Sequence, residues 1–203
     1  MLLQQWYLPL LDFLNECNNT SLPRKILDCG AGGSTPPLAI FYKENYETYG
    51  IDISENQINK ANDFAQKNGM KFNIIKGDIR NLPYEDQSFS FVFSHHTIFH
   101  MSKDDIRKTL QEMERVLVPE GLLFVNVRSV DSRDCGGGKE IAPGEFLRKN
   151  GSREAVYSFH KDNELDSLLD NFDIIFKRKW TILIAENWMD KLSMIEYIAR
   201  KKG

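Results

Sequence analysis

The chain has 203 residues, 41% of them hydrophobic and 27% charged, with a formal net charge of −3. That length suits one domain burying roughly 70% of its unfolded surface, and the composition excludes wholesale disorder. No strongly basic field is present to hold nucleic acid or an anionic membrane surface, so neither partner is expected.

In chain order, Leu3 to Leu14 carries apolar residues at helical spacing, interrupted by Pro9. With the polar loop up to Arg24 it reads as an N-terminal helical cap over residues 1–24. Lys25 to Cys29 is a short buried strand running into a glycine cluster, and a helix follows with Pro36 in its first turn. A strand over Thr48 to Ile53 precedes a helix from Ser54 to Gly69, with Ile58, Ala61, Phe64 and Ala65 on one face. Lys71 to Lys76 and Phe89 to Ser94 are the next strands. Ser102 to Leu117 is an amphipathic helix on Ile106, Leu110, Met113 and Leu117. Pro119-Glu120-Gly121 is a turn, and Leu122 to Val127 a fifth strand.

This alternation predicts an α/β fold: a doubly wound, mostly parallel sheet with right-handed crossovers. From Ser129 the pattern lapses. The triple glycine Gly136 to Gly138 and Pro143-Gly144 mark an irregular insertion over residues 129–160, placed like a lid. A helix over Asp162 to Leu169 is expected next. The strands from Phe172 to about Thr181 and from Met194 to Arg200 are too close for a helical crossover, which predicts an antiparallel pair. A single domain over residues 1–203 accounts for the whole pattern. The cysteines Cys17, Cys29 and Cys135 form neither a CxxC pair nor a disulfide framework, which fits a cytoplasmic protein. No apolar run approaches the ~20 residues of a membrane span, and the N-terminus lacks the basic region of a signal peptide.

The first strand ends in Gly30-Ala31-Gly32-Gly33-Ser34, where the backbone turns tightly and a ligand can approach without meeting a side chain. In a doubly wound sheet such a loop lies at the ligand-binding edge. Asp52, 22 residues after Gly30, ends the second strand, where an acid accepts hydrogen bonds from ribose hydroxyls. Asp78 follows the third strand on the same rim. Each feature alone has a plain structural reading as a tight turn, a helix cap or a solvated strand end. Together they fit a nucleoside-containing cofactor.

At these residues the sequence resembles the class I S-adenosylmethionine-dependent methyltransferases, in particular the small-molecule branch with the ubiquinone/menaquinone and tellurite-type enzymes. Ile26 to Gly33 resembles the first motif, Tyr49 to Ser54 with Gln57, Ile58 and Ala61 the second, and Gly77-Asp78-Ile79 with Leu82-Pro83 the third. Phe99-His100 and Arg115 to Leu123 extend the likeness, and Tyr197 to Lys201 resembles the last strand. Ser34 departs from a frequent glycine and Gln57 from a frequent methionine. The resemblance implies a seven-stranded Rossmann-like methyltransferase fold with an antiparallel C-terminal strand. It implies S-adenosyl-L-methionine as cofactor, with Asp28, Gly30, Ala31, Gly32 and Gly33 at its methionine portion and Asp52 at its ribose. Ile53 and Gln57 would lie near the adenine, with Asp78 and Ile79 on it, and Ser94 and His95 beside the sulfonium.

Methyl transfer from a sulfonium needs alignment more than acid or base. His95 and His100 are the candidates should a general base be needed. Three histidines within Ser94 to His100 invite a metal reading, but no cysteine stands near them and no metal is expected. His96, Phe99, Arg128 and Tyr157 are candidates for the side facing a small-molecule acceptor. Arg128 reads equally as a solvated strand end, Tyr157 and Phe159 as a core edge, and Trp6 and Tyr7 as a core stripe. The competing functions are a nicotinamide-dependent oxidoreductase, which prefers glycine or alanine where Thr35 stands, and a catalytically silent cofactor-binding or activator subunit.

Overall fold

A computed structural model describes residues 7–150, 153–184 and 190–203. The sheet begins with β1 (Lys25–Cys29), β2 (Glu47–Asp52), β3 (Asn73–Lys76), β4 (Phe89–Ser94) and β5 (Leu117–Ser129), all parallel, in the spatial order β3-β2-β1-β4-β5. Strands β9 (Phe172–Ile184) and β10 (Asp190–Lys201) complete it. β10 runs antiparallel to both β5 and β9. The strand order reverses beside β1, and the carboxyl ends of β1 and β4 there open the crevice where doubly wound sheets bind ligands.

Helices α1 (Leu8–Asn18), α2 (Leu38–Lys43) and α3 (Glu55–Lys67) cover one face of the sheet, and α4 (Lys103–Val116) the other. Side chains on a strand alternate between faces. Phe91 and Phe93 of β4 therefore join Leu10, Phe13 and Phe41 from the helices, while Val92 between them joins Ile106, Leu110 and Met113 of α4. Phe13, Phe41, Phe93 and Phe124 pack with ring centroids 5.1–6.3 Å apart. Ser102 caps α4 by accepting the Asp105 N–H at 3.1 Å, as its position before an amphipathic run predicts.

Several boundaries differ from the sequence reading. The expected first helix began at Leu3; residues 1–6, Trp6 among them, lie outside the described part. Pro9 sits in the first turn of α1, where its missing N–H costs nothing, and so does not interrupt the helix. Pro119 to Gly121 is an irregularity within β5 rather than a turn before it: the register shifts there and Glu120 takes φ 64°.

The largest correction concerns residues 129–160. In place of an irregular loop, β6 (Lys139–Ala142), β7 (Glu145–Asn150) and β8 (Arg153–His160) form an antiparallel meander. β8 returns to the main sheet, where Phe159 and His160 pair in parallel with Arg128 and Ser129 of β5. β10 occupies the other edge of β5 at Arg128, so β8 continues the edge that β4 leaves at Ser94. Glu145 ties the meander to α4 by accepting the Lys103 N–H at 2.7 Å. The expected helix over Asp162 to Leu169 shrinks to one 3-10 turn at Asp166–Leu168. Lys177 and the Tyr197 hydroxyl hold the Asp166 carboxylate while Leu165 and Leu169 bury in the core, and these tertiary ties outweigh the helical pattern.

Candidate functional site

The carboxyl ends of β1, β2 and β3 meet the start of α4 around a cleft of about 350 Å³, within the usual range for small-ligand sites. Gly30, Asp52, Ile53, Asp78, Ile79 and His100, all candidates from the sequence, line it. Gly77, Arg80, Thr97, Met101, Ser102, Asp105 and Val156 also line it, and none of them is among the site candidates of the sequence.

The glycine loop is held by short-range chemistry. Gly30 takes φ 113°, and a side chain there would place its Cβ 2.2 Å from Thr97 Oγ1. Gly30 and Ala31 both donate to the Ile51 carbonyl, at 2.9 and 3.1 Å, which locks the loop onto β2. Gly33 donates to the Gln57 carbonyl at 3.0 Å, and the Gln57 Cβ lies against Gly32, although Gln57 as a whole is exposed. Tyr7 reaches over from the start of α1 and donates to Thr35, and its ring lies 5.9 Å from that of His95.

Asp52 accepts the Gly32 N–H at 3.1 Å on Oδ2 and the Ser54 N–H at 2.8 Å on Oδ1. A carboxylate has about four acceptor sites, so each oxygen keeps one lone pair for a further donor. Asp28 is buried beneath the loop with Oδ2 lacking a hydrogen-bond partner. Burial, and then the Asp52 charge, push its pKa well above the ordinary carboxylate value.

Asp78 accepts from Arg80 through its backbone N–H at 2.9 Å and its guanidinium at 2.6 Å. Those hydrogen bonds lower the Asp78 pKa. Arg80 also reaches Asp105 of α4 at 3.0 Å, so one guanidinium bridges two walls of the cleft.

Other expected residues do not line the cleft, Ala31, Ser94 and His95 among them. Ala31 is fully buried against the α1–α2 face, and Ser94 is buried with its hydroxyl donating to the Cys29 carbonyl at 2.8 Å. Cross-strand pairing of β4 with β1 thus uses the hydroxyl that the motif placed beside a ligand. His95 packs towards Tyr7 and Phe124, not towards the cleft. His96 sits at φ 57° and donates its backbone N–H to Asn126 at 2.8 Å.

His100 faces the cleft and stacks edge-on against Tyr157, centroids 4.6 Å apart. Desolvation, followed by the charge of Arg128, lowers the pKa of both His96 and His100 to about 4. Both rings are therefore neutral at pH 7. Arg128 lies over Phe99 at 5.3 Å and Tyr157 at 5.9 Å, which gathers the four residues expected on the acceptor side around one corner.

These features fit S-adenosylmethionine: Asp52 has acceptor capacity for a ribose, and the orphaned Asp28 oxygen lies under a glycine-rich loop. The sheet order, the crevice and the two acids at successive strand ends define a class I methyltransferase fold. Residues 27–125 match a family model described as a methyltransferase domain. Among curated proteins, the chain is 31% identical over 114 residues to methyltransferase GfsG of Streptomyces halstedii, covering 55% of this chain and 40% of the relative. It is 33% identical over 101 residues to 27-O-demethylrifamycin SV methyltransferase of Amycolatopsis mediterranei, covering 49% and 36%. A crystal structure of an S-adenosylmethionine-dependent methyltransferase from Methanosarcina mazei superposes with a TM-score of 0.78 at 22% identity, covering 93% of this chain and 97% of that one. The chain is thus similar to methyltransferase domains over residues 27–125 and shares the fold of S-adenosylmethionine-dependent methyltransferase structures. It spans less than half the length of these curated relatives.

Proposed function

We propose that this chain transfers a methyl group from S-adenosylmethionine to a small-molecule acceptor. The observation that carries the reading is Asp52: its carboxylate is fixed by two backbone N–H groups at the rim of the glycine loop, with acceptor capacity left over. When bound, S-adenosylmethionine supplies an activated methyl group on its sulfonium. Asp52 would hold the ribose hydroxyls. Ile53 and Ile79 would cover the adenine, with Asp78 accepting from its amino group. The loop from Gly30 to Gly33 would pass under the methionine portion, and Asp28 would orient that loop.

The chain's contribution to rate is alignment and exclusion of water, which account for large accelerations without an acid or base. Between the two histidine candidates, the lining of the cleft favours His100 over His95. With a pKa of about 4, His100 is a weak base, suited to an acceptor that loses its proton easily. The meander β6–β8 would bound the acceptor side, with His96, Phe99, Arg128 and Tyr157 around it. A small acceptor agrees with the 27-O-demethylrifamycin SV methyltransferase among the relatives and with the absence of a basic field. Among the described residues no helix is long and apolar enough to cross a membrane. Cys17, Cys29 and Cys135 are free thiols, which supports a cytoplasmic setting.

Calorimetry with S-adenosylmethionine and its demethylated product tests cofactor choice. A screen of small acceptors reading out S-adenosylhomocysteine tests transfer. Binding of both cofactor forms and production of S-adenosylhomocysteine with at least one acceptor are expected. Binding of a nicotinamide cofactor alone would overturn the proposal, and cofactor binding without transfer to any acceptor would favour a silent subunit.

A further inference from the structure

The corner beyond His100 carries an imbalance of charge that methyl transfer does not require. Arg128, at the end of β5, and Arg148, on β7, both donate to the carboxylate of Asp134, Arg148 at 2.8 Å. Among the described residues no other acid pairs with either arginine. The guanidiniums are the sheltered partners: the two arginine side chains are 17% and 19% exposed, against 38% for Asp134.

Arg148 is nearly saturated, since it also donates to the carbonyls of Gly137, at 2.6 Å, and Asp134. Arg128 is not. Its Nε is buried without a hydrogen-bond partner, and Nη1 has only Asp134. A partly buried cation with an unused donor is costly unless something completes it. The surrounding surfaces are aromatic. Arg128 lies over Phe99, Tyr157 and Phe159, Arg148 lies 4.7 Å from the centroid of Tyr157, and Tyr157 packs on His100 at the cleft wall. His96 and His100, neutral at pH 7, add no charge of their own.

We infer that this corner is a subsite for an oxyanion on the methyl acceptor, a carboxylate group carried on a flat ring. The carboxylate takes the open donors of Arg128 in competition with Asp134, while the ring lies among Phe99, Tyr157 and His100. The inference deepens the methyltransferase reading and rests on it for the identity of the neighbouring cleft. Asp134 then acts as a placeholder: it neutralises the arginines in the free protein and moves towards solvent when the acceptor's anion arrives. The acceptor class is accordingly an aromatic or heteroaromatic acid.

Ligand-observed NMR titration of the full chain with benzoate and with benzamide, in the presence of S-adenosylhomocysteine, tests the subsite. Benzoate is expected to bind, and benzamide about tenfold more weakly or not at all, because charged hydrogen bonds are the stronger kind. Arg128→Gln should weaken benzoate by about tenfold. Asp134→Asn, at a more exposed position, should tighten it severalfold by removing the competitor. That second variant decides the matter should Arg128→Gln fail to fold. Equal behaviour of benzoate and benzamide, including no binding of either, would overturn the subsite, as would an unchanged benzoate affinity in Asp134→Asn. Calorimetry of S-adenosylhomocysteine with the wild-type chain is read separately. Its failure would overturn the methyltransferase reading, while the benzoate and benzamide comparison, repeated without it, still decides the subsite.

Discussion

The Gly32 N–H donates to Asp52 Oδ2 across 3.1 Å, and a Cβ on residue 32 would lie 2.6 Å from that same oxygen. The loop and the acid therefore form one unit, with glycine required because the carboxylate stands where a side chain would go. Gly32→Ala should displace Asp52 and Gln57 together and weaken S-adenosylmethionine binding by at least about tenfold. Asp52→Ala should do so by about ten- to a hundredfold, since hydrogen bonds to a charged group contribute about 1.5–3 kcal/mol each. Calorimetry measures both, and circular dichroism should show the fold retained. A wild-type dissociation constant in Asp52→Ala would remove that residue from the site.

Asp78 is held by Arg80 and should contribute less. Its carboxylate already accepts from the Arg80 backbone and guanidinium, so fewer lone pairs remain for an adenine amino group. Asp78→Asn should weaken cofactor binding less than Asp52→Ala does. Arg80→Ala frees acceptor sites on Asp78 and removes the link to Asp105. Its Asp78 carboxyl pKa should rise back towards the ordinary value, as NMR titration of the side-chain carboxyl carbon would show.

The histidines set a pH dependence. His96 and His100 have folded-state pKa values of about 4, below the ordinary 6.5. The unfolded chain therefore binds more protons between those limits, and the stability these groups contribute is present above about pH 6.5 and lost as pH falls towards 4. Urea denaturation midpoints should drop between pH 7 and 4.5. In the double variant His96→Gln/His100→Gln that drop should be smaller. An identical pH slope in the two proteins would assign the loss to other groups.

The meander makes a claim about dynamics that opposes a loose lid. β7 and β8 pair over six residue pairs, and Glu145 anchors the base of β7 to the start of α4. Hydrogen exchange should be slow at Phe146, Leu147 and Val156 to Phe159 in the free protein. It should be fast at Gly136, which lies in turn backbone. Fast exchange throughout residues 129–150 would instead favour an irregular, lid-like insertion. Glu145→Ala should raise exchange in β7 and lower thermal stability, because it leaves the Lys103 N–H without its acceptor.

Much of the cleft proposed to hold the cofactor was legible in the sequence. The strand-loop-helix rhythm from Lys25 to Val127, the glycines after Asp28, and the acids Asp52 and Asp78 are local features. Backbone geometry and strand polarity carry them to one rim of a parallel sheet. Single positions within those motifs were less secure. Ala31 and Ser94 follow the family pattern, yet one fills the α1–α2 face and the other bonds to the Cys29 carbonyl, because neighbouring strands decide which way a residue at a strand end is used.

The acceptor side was decided by tertiary structure. The glycines and charges of residues 129–150 read as a loop because hydrophobic periodicity over four to six residues is too brief to reveal strands. They become strands only when β8 takes the vacant edge of β5 beyond Ser94. That pairing brings Arg148 to Asp134 and Arg128, from 14 and 20 residues away in sequence, and no local pattern encodes such a meeting. The sequence alone determined the sheet, the glycine loop and the acids at the rim of the cleft. Cross-strand pairing and burial decided what surrounds the acceptor, because those interactions exist only once distant segments are packed together.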